Sequence, residues 1–233
     1  VLTSISIPGS VTTIGGSAFY DCDALKTVTI ASGVRTIGYR AFYDCDALTS
    51  INIPSSVTEI GGEVFSGCGA LASVTLNSGL QKMGDQAFYN CDSLTSISIP
   101  GTVSSVSDYA FYDCASLKTV TLGSGILSID GAAFQNCDVL TSISIPGSVT
   151  TIGGSAFYDC DALKTVTIAN GVQTIGYRAF YSCNVLSKVT VPDTVISIDS
   201  YAFSYCDNVR LYVKADSYAE TWCEDNDIPY SVN

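Results

Sequence analysis

Ten cysteines and 22 acidic residues are the side chains of this 233-residue sequence best equipped for chemistry. Thiolates bind zinc or form disulfides, and paired carboxylates serve acid–base catalysis or hold calcium. Their spacing narrows these options. Cys22, Cys45, Cys68, Cys91, Cys114, Cys137, Cys160, Cys183 and Cys206 recur every 23 residues, with Cys223 alone outside the ladder. None forms a Cys-x-x-Cys pair, and the absence of histidine removes both the usual zinc co-ligand and the commonest general base. A ladder of nine cannot pair completely, so the reading is of free thiols buried as small hydrophobes. Cys206 with Cys223 is the one disulfide left open.

The carboxylates are arranged in rows. Asp21 and Asp23, Asp44 and Asp46, and Asp159 and Asp161 flank ladder cysteines, but Gly67 and Gly69, Asn90 and Asp92, and Ser182 and Asn184 interrupt the series. No EF-hand or calcium-binding nonapeptide is present, which leaves a solvated acidic edge and weak calcium sites as the two readings. Glycoside hydrolysis needs two carboxylates in unlike environments, whereas these repeat in equivalent ones. The expectation is a chain that is not an enzyme, with no catalytic residues, no metal site and no cofactor. Recognition is better provided for. Tyr20, Tyr43, Tyr89, Tyr112, Tyr158 and Tyr181 share one repeat position, with Tyr39, Tyr109, Tyr177 and Tyr201 nearby. A flat apolar ring with a polar tip suits contact with proteins or sugars; mutual stacking that shields the edges of the fold is the competing reading.

These residues are positioned by a repeat without insertions. Leu2, Leu25, Leu48, Leu71, Leu94, Leu117, Leu140, Leu163 and Leu186 lie 23 apart, and all nine phenylalanines, from Phe19 to Phe203, keep the same interval. A fixed period of this length signals a solenoid. Within one unit, Leu2 to Ile7 ends in strand-like alternation, Pro8-Gly9 breaks it, Val11 to Ile14 reads as a second short strand, and Ser17 to Tyr20 as a helical or 3₁₀ turn. Leu2, Ile5, Ile7, Val11, Ile14, Ala18, Phe19 and Cys22 should point inward, and their equivalents are apolar in all nine units. The exposed face of the longer strands carries Ser4, Ser6, Thr27, Thr29, Ser50, Asn52, Ser96, Ser98, Thr119 and Thr121, with Lys26, Lys118 and Lys164 as a cationic stripe. That face can receive an extended protein or a glycan, or simply keep a parallel sheet soluble. Pro8, Pro54, Pro100, Pro146 and Pro192 mark alternate units, and residues 2–31 recur unchanged at 140–169, a sign of internal duplication.

The pattern L-x-x-I-x-I-P-x-x-V-x-x-I-G-x-x-A-F-x-x-C, followed over residues 2–208, resembles the BspA-like leucine-rich repeats. The resemblance implies a mainly β leucine-rich-repeat solenoid of secreted or cell-surface proteins, several of which act in adhesion. It brings no shared catalytic set. Residues 1–208 are expected to be nine repeats and 209–233 a C-terminal cap. Within that cap Ser217 and Glu220 have capping-box spacing for a helix to about Asp225, with Tyr218 and Trp222 turned towards the last coil, and Ile228, Tyr230 and Val232 alternate as an edge strand. The sequence starts at Val1 directly within a repeat, so it reads as a processed or excised fragment whose signal and anchor lie elsewhere, with an N-terminal end covered by preceding residues or by another copy. A formal net charge of −12 argues against nucleic acid or anionic lipid as partner, and no apolar run approaches membrane-spanning length. The expected role is an extracellular or cell-surface module that binds a host or cell-surface protein through Tyr20, Tyr43, Tyr89, Tyr112, Tyr158, Tyr181, Lys26, Lys118 and Lys164. A carbohydrate-binding or scaffold segment of a larger extracellular protein is the alternative.

Overall fold

The computed structural model describes residues 1–233 as one stack of coils, each carrying a long strand, a two-residue strand and a run of tight turns. The long strands begin with Ser4–Ile7, Thr27–Ile30, Ser50–Ile53 and Ser73–Leu76 and repeat to Lys188–Thr190. Their Val, Ile and Thr content favours the pleated conformation, and the constant unit length sets the register: Ser4 lies opposite Thr27 and Ile7 opposite Ile30. Alternation sends Ile51 and Ile53 inward and Ser50 and Asn52 outward. A turn then ends the strand, on proline in alternate coils, where the Val11 N–H turns back to the Pro8 carbonyl at 3.0 Å, and on Ala31 or Asn77 in others, where Val34 and Leu80 make the same bond. Short strands such as Thr13–Ile14 and Thr36–Ile37 build a second parallel ladder. The long-strand ladder is interrupted after Ser73–Leu76 and after Thr119–Leu122, and the short-strand ladder after Lys82–Met83.

On the third side the expected helical or 3₁₀ turn takes the form of separate i→i−3 turns. The N–H groups of Ala18 and Tyr20 donate to the Gly15 and Ser17 carbonyls, while those of Ser17, Phe19 and Asp21 donate to Tyr39, Ala41 and Tyr43 in the next coil. This alternation places two residues per coil in the left-handed region, with φ of 55° at Ser17 and 58° at Asp21. Asp, Asn and Gly tolerate that conformation best, and Asp21, Asp44, Gly67, Asn90, Asp113, Asn136 and Asp159 occupy the second of the two places in the first seven coils, with Ser182 and Tyr205 in the last two. The row of Asp21, Asp44 and Asp159 thus has a backbone cause, whereas Asp23, Asp46 and Asp161 are not left-handed.

The inward positions behave as their apolarity requires. In one interior coil Leu48, Ile51, Ile53, Val57, Ile60, Val64, Phe65 and Cys68 are all buried, and 68 such residues form a single core. The first coil is less covered: Leu2 is 42% exposed and Phe19 and Cys22 are half-buried, because they face a neighbour on one side only. The phenylalanines stack in one continuous column with centroids 5.1 to 5.4 Å apart.

At the C-terminal end Leu211–Val213 adds a further parallel rung and Tyr230–Val232 pairs beside it. The helix Tyr218–Asp225 lies between them in sequence, its first turn held by Ser217 Oγ accepting from the Glu220 N–H at 3.2 Å. The Glu220 carboxylate reaches back one residue further than a standard capping box, to the Asp216 N–H at 2.7 Å. Trp222 meets Phe203 edge-on at 6.0 Å and closes the phenylalanine column. Tyr218 does not join it, contrary to the sequence expectation. The buried stripe is Ala219, Trp222 and Cys223, and Tyr218 stands at its margin in the first turn, exposed.

The two-coil period has a steric origin. Gly33, Gly79, Gly125 and Gly171 each sit against the carbonyl of the residue that follows a proline one coil earlier, and a Cβ on Gly79 would lie 1.7 Å from the Ser55 oxygen. Gly79→Ala should therefore cost at least about 2 kcal/mol in urea denaturation, since backbone must move to admit it. Gly9→Ala, whose Cβ would meet nothing nearer than the Ala31 methyl at 4.0 Å, should stay within about 0.5 kcal/mol of the parent.

Candidate binding surface

The cysteine ladder does structural work. Each thiol from Cys45 to Cys206 donates to the carbonyl of the phenylalanine just over one coil before it, at 2.9 to 3.3 Å, as in Cys114 Sγ to Phe88 O. All ten cysteines are free, Cys206 and Cys223 included. Burial pushes the thiols of Cys91 and Cys137 well above the ordinary range and those of Cys114 and Cys160 up to about 12. Such groups stay protonated and inert at neutral pH. Among the carboxylates, partial desolvation and then the neighbouring Asp46, Asp21 and Asp23 raise Asp44. No group of three or more Cys, Asp or Glu side chains converges in metal-binding geometry.

The six tyrosines of the shared repeat position resolve into three pairs. Tyr20 and Tyr43, Tyr89 and Tyr112, and Tyr158 and Tyr181 stack nearly parallel, with centroids 4.8 to 5.0 Å apart. Ser66 and Gln135 occupy the intervening places and break the column. Within each pair the facing ring surfaces cover one another, and Tyr181 also meets Tyr205 at 4.9 Å. Two arginines absent from the sequence-derived set complete the cluster: Arg40 lies over Tyr39 and Tyr43, and Arg178 over Tyr177 and Tyr181, at 4.7 to 5.0 Å. Their recurrence 138 residues apart, the offset of the internal duplication, was the signal available to find them.

Lys26, Lys118 and Lys164 are exposed at the start of the long-strand face, and their ammonium groups meet no acceptor in the chain. They make no cation–π contact with the tyrosines, a role held by the arginines. Structure thus joins the tyrosines in twos and keeps the lysines apart from them. The hydroxyls of Ser4, Ser6, Thr27 and Thr29 stand exposed in parallel register beside this stripe. Elsewhere the widest groove, about 580 Å³, opens at the interruption of the short-strand ladder, between Glu63, Lys82, Gln86 and Ser105.

The model of the BspA type leucine rich repeat region matches the chain in six copies, over residues 1–107 and 81–210. The chain is similar to the solved structure of a leucine-rich repeat protein from Bacteroides ovatus ATCC 8483, at 27% identity over 90% of this chain and 68% of that one, with a TM-score of 0.64. A leucine rich cell surface protein from Faecalibacterium prausnitzii A2-165 is 25% identical over 100% of this chain and 80% of its own, with a TM-score of 0.52. The fold is shared with the leucine rich repeat protein of T. pallidum, at 22% identity over 99% and 86% of the two chains and a TM-score of 0.57. No curated protein matches the chain.

The raised thiols tie stability to pH. A group whose pKa is higher folded than unfolded contributes stability that is whole below the unfolded value, here 9.0, and is lost as pH rises towards the folded one, about 12 for Cys114 and Cys160. The urea midpoint should hold steady to about pH 8.5 and fall steadily above it. At neutral pH a thiol reagent should label Cys22 first, the only ladder cysteine that is not buried, and the remainder only after denaturant is added.

Proposed function

The chain belongs to the BspA-type leucine-rich repeat family, and from that premise we propose that it is a non-catalytic protein-binding module acting in adhesion at a bacterial cell surface. Repeat solenoids of this kind present an extended surface assembled from many equivalent coils and depend on no single pocket. The observation that carries the reading is the long-strand face: rows of exposed hydroxyls in parallel register, edged by lysines whose charge has no internal partner. At roughly 4.8 Å per coil, Lys118 and Lys164 stand about 10 Å apart and Lys26 a further 19 Å or so along the stack. An extended segment of a partner protein with spaced acidic residues fits this pattern.

In this reading residues 1–208 carry the binding surface, residues 209–233 cover its end, and the tyrosine pairs flank the interface with their exposed rims. An extracellular or cell-surface setting agrees with the F. prausnitzii relative, described as a cell surface protein. No helix is long and apolar enough to cross a membrane. A sugar-binding role would draw on the tyrosine faces, and the stacking at 4.8 to 5.0 Å already covers one face of each ring.

Immobilised chain should be offered a panel of extracellular-matrix proteins and, in parallel, a glycan array. Capture of a protein that weakens at least about tenfold in the Lys26→Glu, Lys118→Glu, Lys164→Glu variant, and with rising salt, is the expected result. Glycan capture abolished by Tyr89→Ala with Tyr112→Ala, and indifferent to the lysine changes, would replace this reading with the carbohydrate-binding alternative.

A further inference from the structure

The internal duplication builds the same aromatic cradle around an arginine twice, and only one of the two guanidiniums has an anion of the chain's own. Tyr39-Arg40-Ala41-Phe42-Tyr43 recurs as Tyr177-Arg178-Ala179-Phe180-Tyr181. Both arginines have a left-handed backbone with φ of 54°. Both guanidinium carbons rest between two rings, at 4.9 and 5.0 Å in the first copy and 4.9 and 4.7 Å in the second. The pose of the cation is thus set by the tyrosines and does not depend on an anion being present.

In the first copy the anion is the protein's own. Glu63, one coil on, takes Arg40 Nε at 2.9 Å and Nη2 at 2.7 Å on one oxygen and the Tyr39 hydroxyl at 2.5 Å on the other. In the second copy Tyr201 stands where Glu63 would be and turns its ring edge-on to Tyr177 at 5.9 Å. Asp44 and Asp46 are likewise replaced, by Ser182 and Asn184. Asp199 and Asp207 enter in place of Gly61 and Gly69, but the Asp199 carboxylate accepts the Tyr201 N–H at 2.9 Å and neither forms an ion pair with Arg178. The Arg178 side chain makes no hydrogen bond, and its Nε is shut off from solvent without an acceptor. A buried charged donor left unpaired is costly, and native structures rarely keep one without use.

We propose that Arg178, with Tyr177, Tyr181 and Tyr201 around it, is a binding site for a carboxylate supplied from outside the chain, namely an Asp or Glu side chain of a partner protein. Glu63 on Arg40 is the template for the chemistry of the bound state, a carboxylate on a guanidinium steadied by a tyrosine hydroxyl; with Arg178 Nε shut off from solvent, a carboxylate from outside meets the terminal Nη groups first. The positioned arginine ringed by tyrosines is also the composition that dominates protein interfaces. Relative to the first copy, acids are lost at positions 182, 184 and 201 and gained at 199 and 207, so these positions together carry one negative charge fewer in a chain whose net charge is −12. The inference deepens the protein-binding reading and rests on it only for the source of the carboxylate.

The test is a titration of the full ¹⁵N-labelled chain with N-acetylglutamate amide, following the Nε–H resonances of Arg178 and Arg40. The Arg178 signal should shift saturably, at concentrations on the order of 10 mM for a single charged pair near the surface, while Arg40, already occupied, stays still. Tyr201→Glu, at a position 54% exposed, should weaken the response at least about tenfold by putting a carboxylate of the chain's own beside the guanidinium. Glu63→Gln should make Arg40 respond as well. An Arg178 signal that does not move, or that drifts linearly together with Arg40, overturns the site. Saturation at lower concentration by sulfate or glucuronate overturns its assignment to a protein carboxylate. A partner screen that yields no protein would count against the protein-binding reading while leaving this titration to be judged by itself.

Discussion

A coil of this protein cannot satisfy its own backbone. The strand N–H groups pair with the coils on either side, and on the turn side every second N–H, such as those of Ser17, Phe19 and Asp21, finds its acceptor 22 residues on. An insertion in any one coil would throw all of these donors off their acceptors, which is why the 23-residue interval holds from Leu2 to Leu186 without exception. The same requirement explains residues that look chemical at first sight. Left-handed backbone at the place of Asp21 favours Asp, Asn or Gly, which hold it in seven of the nine coils, and a carbonyl pressed against the Cα of Gly79 forbids a side chain in alternate coils.

Packing follows from that register. With each coil a near copy of the last, like side chains fall upon like, and the result is a continuous phenylalanine column from Phe19 to Phe203 ended by Trp222. Cysteine suits the place beside it because it is small enough for the interior and still donates a weak hydrogen bond to the preceding phenylalanine carbonyl. Burial then holds the thiols of Cys91, Cys114, Cys137 and Cys160 in the neutral form, so in mid-stack the residue type most associated with reactivity is among the least reactive.

Recognition is left to positions the stack does not constrain. Most equivalent surface positions differ from coil to coil, and their meaning depends on the residue one coil away. Arg40 is a closed ion pair because Glu63 follows it, and Arg178 is open because Tyr201 does. The two cradles lie at the offset of the internal duplication and differ in the single residues around them.

The amino-acid sequence alone determined the solenoid, its unit length, the identity of the core ladders and the helical cap. Leu, Phe and Cys recur at one interval, and Ser217 with Glu220 is a local signal, so neither needs knowledge of distant neighbours. The tertiary structure decided what lies between coils. It stacked the tyrosines in three pairs, set Tyr218 outside the cap's buried stripe, explained the row of Asp21, Asp44 and Asp159 by backbone handedness and revealed the unequal pairing of two identical arginines. A side chain in a solenoid meets its partner a full coil away, and that partner is chosen by stacking geometry, which a reading along one coil does not contain.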